Sequence, residues 1–146
     1  MENAIEKADR LGRKRARALP ALAILLITQQ TTFFTDASED PTRAVDWVHL
    51  GGWVALTLVI LLLLTHGGGW IQSREVRALM NDEVTRENRR KALAQGFIIA
   101  MATTIVCFAV TFFEEVPVRT ALHVIATTGL AGALLRFAAL ERRAHR

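Results

Sequence analysis

Two histidines sit in similar settings, His49 three residues after Asp46 and His123 four residues after Arg119. Facing imidazoles on two helices can serve as axial ligands of a b-type haem. The same pair, joined by Asp46 or Glu114, has the donor types of a divalent-metal site. A simpler use competes with both. Each imidazole can bond a nearby carboxylate or an exposed carbonyl, and Asp46 and His49, at i,i+3, can pair within one helix. Spacing alone does not discriminate among these uses, and the simpler one is the preferred reading. Gln29 and Gln30, followed by Thr31 and Thr32, lie within an otherwise apolar stretch, and Arg119 and Thr120 open another. Polar groups at membrane depth are costly and so are candidates for function.

The elements that carry these residues are set by how apolar and charged residues are distributed. Half of the chain is hydrophobic (51%) and 22% is charged, but the two classes are segregated rather than interleaved. Residues 18–34, 47–70 and 92–113 contain no charge, and 120–140 contains only Arg136. Apolar runs of roughly 18 residues or more are long enough to cross the hydrocarbon core as helices. Inside lipid the backbone must satisfy its own hydrogen bonds, so such runs must be helical. The predicted fold is all-α: a polytopic membrane protein with spans at about 18–35, 47–69, 92–113 and 119–140. A basic N-terminal segment (1–17), a cytoplasmic connection (70–91) and a basic tail (141–146) flank the four-helix domain, residues 18–140. The first run is followed by Gln29-Gln30-Thr31-Thr32-Phe33-Phe34 and not by a small-x-small cleavage site, so it is expected to remain as a span.

Charge sets the direction. Sixteen of the 18 basic residues fall before the first span, between the second and third, or from Arg136 onward. The opposite side has only Arg43 and Arg119 against six carboxylates. The positive-inside rule therefore places both termini in the cytoplasm, and a bacterial inner membrane is the expected location. The basic excess is read as this topology signal together with attraction to anionic lipids of the cytoplasmic face. No basic patch is interleaved with aromatics, which argues against nucleic-acid binding. Trp47 and Trp70 bracket the second span, where interfacial aromatics belong. The lone Cys107 cannot form an internal disulfide and is read as a packing residue.

The two halves share features at their outer turns. Thr32-Phe33-Phe34, an acidic loop, Pro41-Thr42-Arg43 and His49 are matched by Thr111-Phe112-Phe113, an acidic loop, Pro117-Val118-Arg119 and His123. This reads as two tandem helical hairpins related by an axis along the membrane normal. On the inner side, Gly67-Gly68-Gly69 can end the second span. Ile71, Val76, Leu79 and Met80 then recur at near-helical spacing. Asn81 or Asp82 can cap the next helix, with Asp82 and Glu83 favourable to its N-terminal dipole. Glu83–Arg86, Glu87–Arg90 and Glu87–Lys91 are at i,i+3 or i,i+4 spacing. Asp82, Glu83, Arg86 and Arg90 are the candidate cytoplasmic interaction residues. The segment Asn81-Asp82-Glu83-Val84-Thr85-Arg86-Glu87-Asn88-Arg89-Arg90-Lys91-Ala92 resembles an N-D-E-x-x-R…K/R-A element that uncharacterised small bacterial membrane proteins carry before a transmembrane helix. The hydropathy layout is similar to theirs along the whole chain. The resemblance implies four helices and no assigned activity.

Gly96, Ala100 and Thr104 share one face of the third span, and Gly129/Ala133 and Thr128/Gly132 have small-xxx-small spacing on the fourth. Small residues let helices approach closely, inside the bundle or across a homodimer. No phosphate loop, nucleophile elbow or zinc-protease motif is present, and no carboxylate lies at mid-membrane. Three functions follow. The preferred one is a non-catalytic structural or regulatory protein acting through helix packing, its cytoplasmic charged helix and a membrane-protein partner or second copy. The alternatives are a haem b- or metal-binding protein using His49 and His123, and a small oligomeric transporter or channel lined by Gln29, Gln30 and Thr31.

Overall fold

The structure is a computed structural model that describes residues 4–35, 44–67 and 82–144. The described residues are all-helical: α1 (Ala4–Thr35), α2 (Ala44–His66), α3 (Glu83–Val110) and α4 (Val118–Ala144). By length and composition, α2 over Trp47–His66, α3 and α4 are each able to cross a membrane. The amphipathic segment expected from Ile71 to Met80 and the outer turn at Pro41 lie outside the described residues.

The basic segment that precedes Ala18 is helical from Ala4, so α1 extends well beyond its apolar run. The cause is visible in the pattern. Gly12, Ala16, Leu19, Ala23 and Leu26 are buried, and their alternating spacing of four and three is the stripe of a helix packed along one side. Pro20 lies inside this helix and removes one backbone donor. The helix end at α2 is set by Gly67, whose φ of 80° is in the left-handed region. Its N–H bonds the Leu63 carbonyl at 2.9 Å, closing the last turn as a glycine C-cap does. At the start of α3, the Asp82 carboxylate accepts from the Thr85 N–H at 2.8 Å, which fixes Asp82 as the N-cap residue.

The closest helix pair is α3 with α4. A methyl group added at Gly96 would come within 2.7 Å of both the Ala133 Cβ and the Gly129 carbonyl oxygen, and one at Gly129 within 2.9 Å of the Ala100 Cβ. The two small-residue faces thus meet each other within the chain. Thr103 and Thr128 hydroxyls join at 3.1 Å beside this contact. Helix α1 lies along the other side of α4, and α2 closes onto the pair through Ile60 and Leu64. The core consists of Leu19, Ala23, Leu26, Ile60, Leu64, Ala131, Leu134, Phe137 and neighbouring alanines. Large apolar side chains are exposed on α2 (Leu58, Val59, Leu61, Leu62) and on α3 (Phe97, Ile98, Ile105, Val106). So much exposed apolar area marks a membrane or protein contact and is compatible with helices that face lipid.

Candidate functional site

Polar side chains are buried at two levels of the bundle. At the end where α1 and α3 begin, the Arg15 guanidinium ion-pairs with the Glu141 carboxylate; their side chains are 9% and 1% exposed. The same guanidinium donates to the Gly67 carbonyl at 3.2 Å and approaches the Thr85 hydroxyl at 3.4 Å. Asn88 donates its amide to the other Glu141 oxygen at 3.3 Å. Arg15 also lies over the Phe137 ring, 5.4 Å from its centroid. One carboxylate and one guanidinium therefore connect α1, the end of α2, α3 and α4.

Sequence reasoning treated Arg15 as one topology charge among many and gave Glu141 no part. The signal that identifies them is the continuation of the buried helical stripes beyond the apolar runs. On α4, Leu134, Phe137, Ala138 and Glu141 are buried at three- and four-residue spacing, and on α3, Thr85, Asn88 and Ala92 are buried likewise. The charged ends of these helices thus have an inner face, and that face is polar. Arg89, on the charged extension before Ala92, donates to the Thr65 carbonyl at 3.3 Å. Burial, and then the charges of Arg15 and Arg86, lower its pKa, while Glu141 acts in the opposite direction.

The candidate residues of the charged extension face outward. Asp82 is occupied as the cap, and Glu83, Arg86 and Arg90 are exposed. Glu87 pairs with Arg90 at 3.1 Å and with Lys91 at 3.5 Å. These exposed pairs contribute little to stability, about 0.3–0.5 kcal/mol each.

At the other level, near the Glu114 turn, His123 is 7% exposed. Its ring stacks on Trp53 with centroids 4.4 Å apart. The Trp53 indole N–H points to the Thr127 hydroxyl at 3.4 Å. His49, in contrast, is exposed on α2, Glu114 is exposed in the turn between α3 and α4, and Arg119 is exposed at the start of α4. The structure thus gives His123 an aromatic neighbour from α2 one turn beyond His49. Trp53 was missed by the sequence reading because its polar N–H is hidden in an apolar residue type. The Asp46 side chain lies outside the described residues. Among the described residues no three His, Cys, Asp or Glu side chains are grouped to hold a metal ion.

Gln29 and Gln30 are both half-buried on α1. The Gln29 Oε1, both amide heteroatoms of Gln30 and the Thr57 hydroxyl are screened from solvent and have no hydrogen-bond partner among the described residues. An orphaned buried polar atom costs about 1–3 kcal/mol, and among the described residues these groups carry most such atoms. Comparisons with protein families, curated proteins and solved structures find no match to this chain.

Proposed function

We propose that the chain is a non-catalytic membrane protein of structural or regulatory type. In this reading all four helices span a bacterial inner membrane as two hairpins, with both termini in the cytoplasm. Its inner end holds the helices in one arrangement and presents the charged face of α3 to a membrane-protein partner or to a second copy. The observation that carries it is the contrast at that end. Arg15, Glu141, Asn88 and Thr85 turn inward and bond each other, while Glu83, Arg86 and Arg90 turn outward. Inward groups so engaged serve packing, whereas an ordered helix with exposed alternating charges offers a fixed pattern for electrostatic recognition. The surrounding arginines and lysines suit anionic lipid headgroups.

Site-specific photo-cross-linking from position 86 in cells tests this reading. It should give discrete protein adducts that disappear when Glu83→Lys and Arg90→Glu are introduced together, with the helical fold retained by circular dichroism. Adducts to lipid alone, or adducts indifferent to the charge reversal, would remove the partner-binding part of the reading. Cysteine accessibility from either side of the membrane, in a Cys107→Ser background, checks the topology. Both termini must react only from the cytoplasm.

A further inference from the structure

The layer around Gln30 has properties of a binding site that packing does not explain. The register of the bundle follows from contacts already given. Helices α1 and α2 run antiparallel, fixed at one end by Arg15 with the Gly67 carbonyl. They are fixed at the other by Gln29, whose Nε2 lies 3.7 Å from where a Gly52 methyl would sit. Helices α2 and α4 run parallel, with Trp53 beside Thr127 and His123 at one end and Gly67 linked to Glu141 through Arg15 at the other. Gln29 and Gln30 therefore share a level with Trp53 and Thr127, and Thr57 lies one turn farther along α2.

Gln30 also continues the buried stripe of α1. The spacing that runs Gly12, Ala16, Leu19, Ala23, Leu26 reaches Gln30 at the next step, where an aliphatic side chain would complete the core. The amide there has neither its oxygen nor its nitrogen bonded, and the Gln29 oxygen and Thr57 hydroxyl are in the same condition. The two glutamines offer acceptors and donors at the level of Trp53 and Thr127, and the Thr57 hydroxyl adds another one turn farther along α2. The Trp53–His123 stack supplies an aromatic wall. The charged residues Glu114, Glu115 and Arg119 are exposed, and the buried ion pair is at the opposite end of the bundle. An ion brought into this layer would meet no buried countercharge among the described residues, whereas a neutral polar molecule would satisfy the orphaned atoms.

We propose that this layer binds a small neutral solute bearing both hydrogen-bond donors and acceptors, with a primary amide as the simplest member of the class. The amide pairs with the Gln30 amide through both of its groups, takes a further bond from Thr57 or to Gln29, and lies against the Trp53 ring. The proposal concerns the α1/α2/α4 junction and is independent of any partner at the charged end of α3.

Trp53 is a built-in reporter. The chain has three tryptophans, so Trp47→Phe with Trp70→Phe leaves Trp53 alone. The full-length protein in nanodiscs is titrated with acetamide and, as a second neutral probe, glycerol. Acetate and methylammonium are the charged controls. A saturable change in Trp53 emission with acetamide, absent with both ions, is expected. Gln30→Leu should weaken it by about tenfold or more, the order lost with a buried hydrogen-bonding partner. Thr57→Val, which keeps the volume, should weaken it less and serves should Gln30→Leu fail to fold. Only linear, unsaturable changes with both neutral probes would overturn the proposal. Equal saturation by acetate or methylammonium would overturn the neutral class. Binding unchanged in a folded Gln30→Leu or Thr57→Val protein would place the solute elsewhere.

Discussion

Removal of Glu141 is the perturbation with the largest calculable effect. Its carboxylate is 1% exposed and Arg15 is 9% exposed, so neither charge is well solvated. Glu141→Leu takes away the carboxylate that accepts from both Arg15 and Asn88. Breaking a buried pair by removing one partner costs about 3–5 kcal/mol. Arg15→Met leaves the mirror problem, a carboxylate with the Asn88 amide alone, and loses the contact with the Phe137 ring. That contact adds about 0.5–1 kcal/mol. The double variant Arg15→Met/Glu141→Leu removes both charges and keeps apolar volume. It should be more stable than either single variant and within about 1–2 kcal/mol of the wild type, because burying the pair offsets most of its own Coulombic gain. Unfolding in mixed micelles, followed by circular dichroism, measures all four proteins. Single variants within about 0.5 kcal/mol of the wild type, the size of an exposed pair, would refute a buried ion pair. A double variant whose loss equals the sum of the singles would refute coupling between the two residues.

The glycines of α3 and α4 should differ sharply in tolerance. Gly96→Ala sets a methyl group against the Ala133 Cβ and the Gly129 carbonyl oxygen at 2.7 Å, and a rigid overpacked contact costs about 1–3 kcal/mol. Gly132→Ala overlaps the Cδ1 of Ile99, which can swing away because Cγ1 and Cβ lie in ordinary contact at 3.5 and 3.7 Å, so its melting temperature should stay nearer to the wild-type value in the same thermal scan. At the start of α3, Asp82→Ala removes the acceptor of the Thr85 N–H and should cost about 1 kcal/mol. Hydrogen exchange should rise in the first turn of α3 and stay unchanged at Gly96.

The apolar helices, the Asp82 cap, the Glu87 pairs and the small-residue faces were legible because each depends on residues close in sequence or on composition over one turn. The Arg15–Glu141 pair was not. Basic residues before a span read alike when charge is used for topology, and only the phase of the helix separates Arg15 from exposed Arg13 or Arg17. Glu141 was hidden in the same way among Arg142 and Arg143. At the other level, His123 and the glutamines were recognisable as polar residues in apolar surroundings. The stacking of His123 on Trp53 depends on how α2 meets α4, which no local pattern specifies.

The ion pair joins residues 126 positions apart. During synthesis at about 5–20 residues per second, Arg15 precedes its counterion by roughly 6–25 s. Throughout that interval the Glu141 carboxylate is not yet available to the Arg15 guanidinium. The bond that ties the end of α4 to α1 is thus necessarily among the last to form. A chain cut short before Glu141 would retain every apolar segment and still lack the contact that ties the end of α4 to α1.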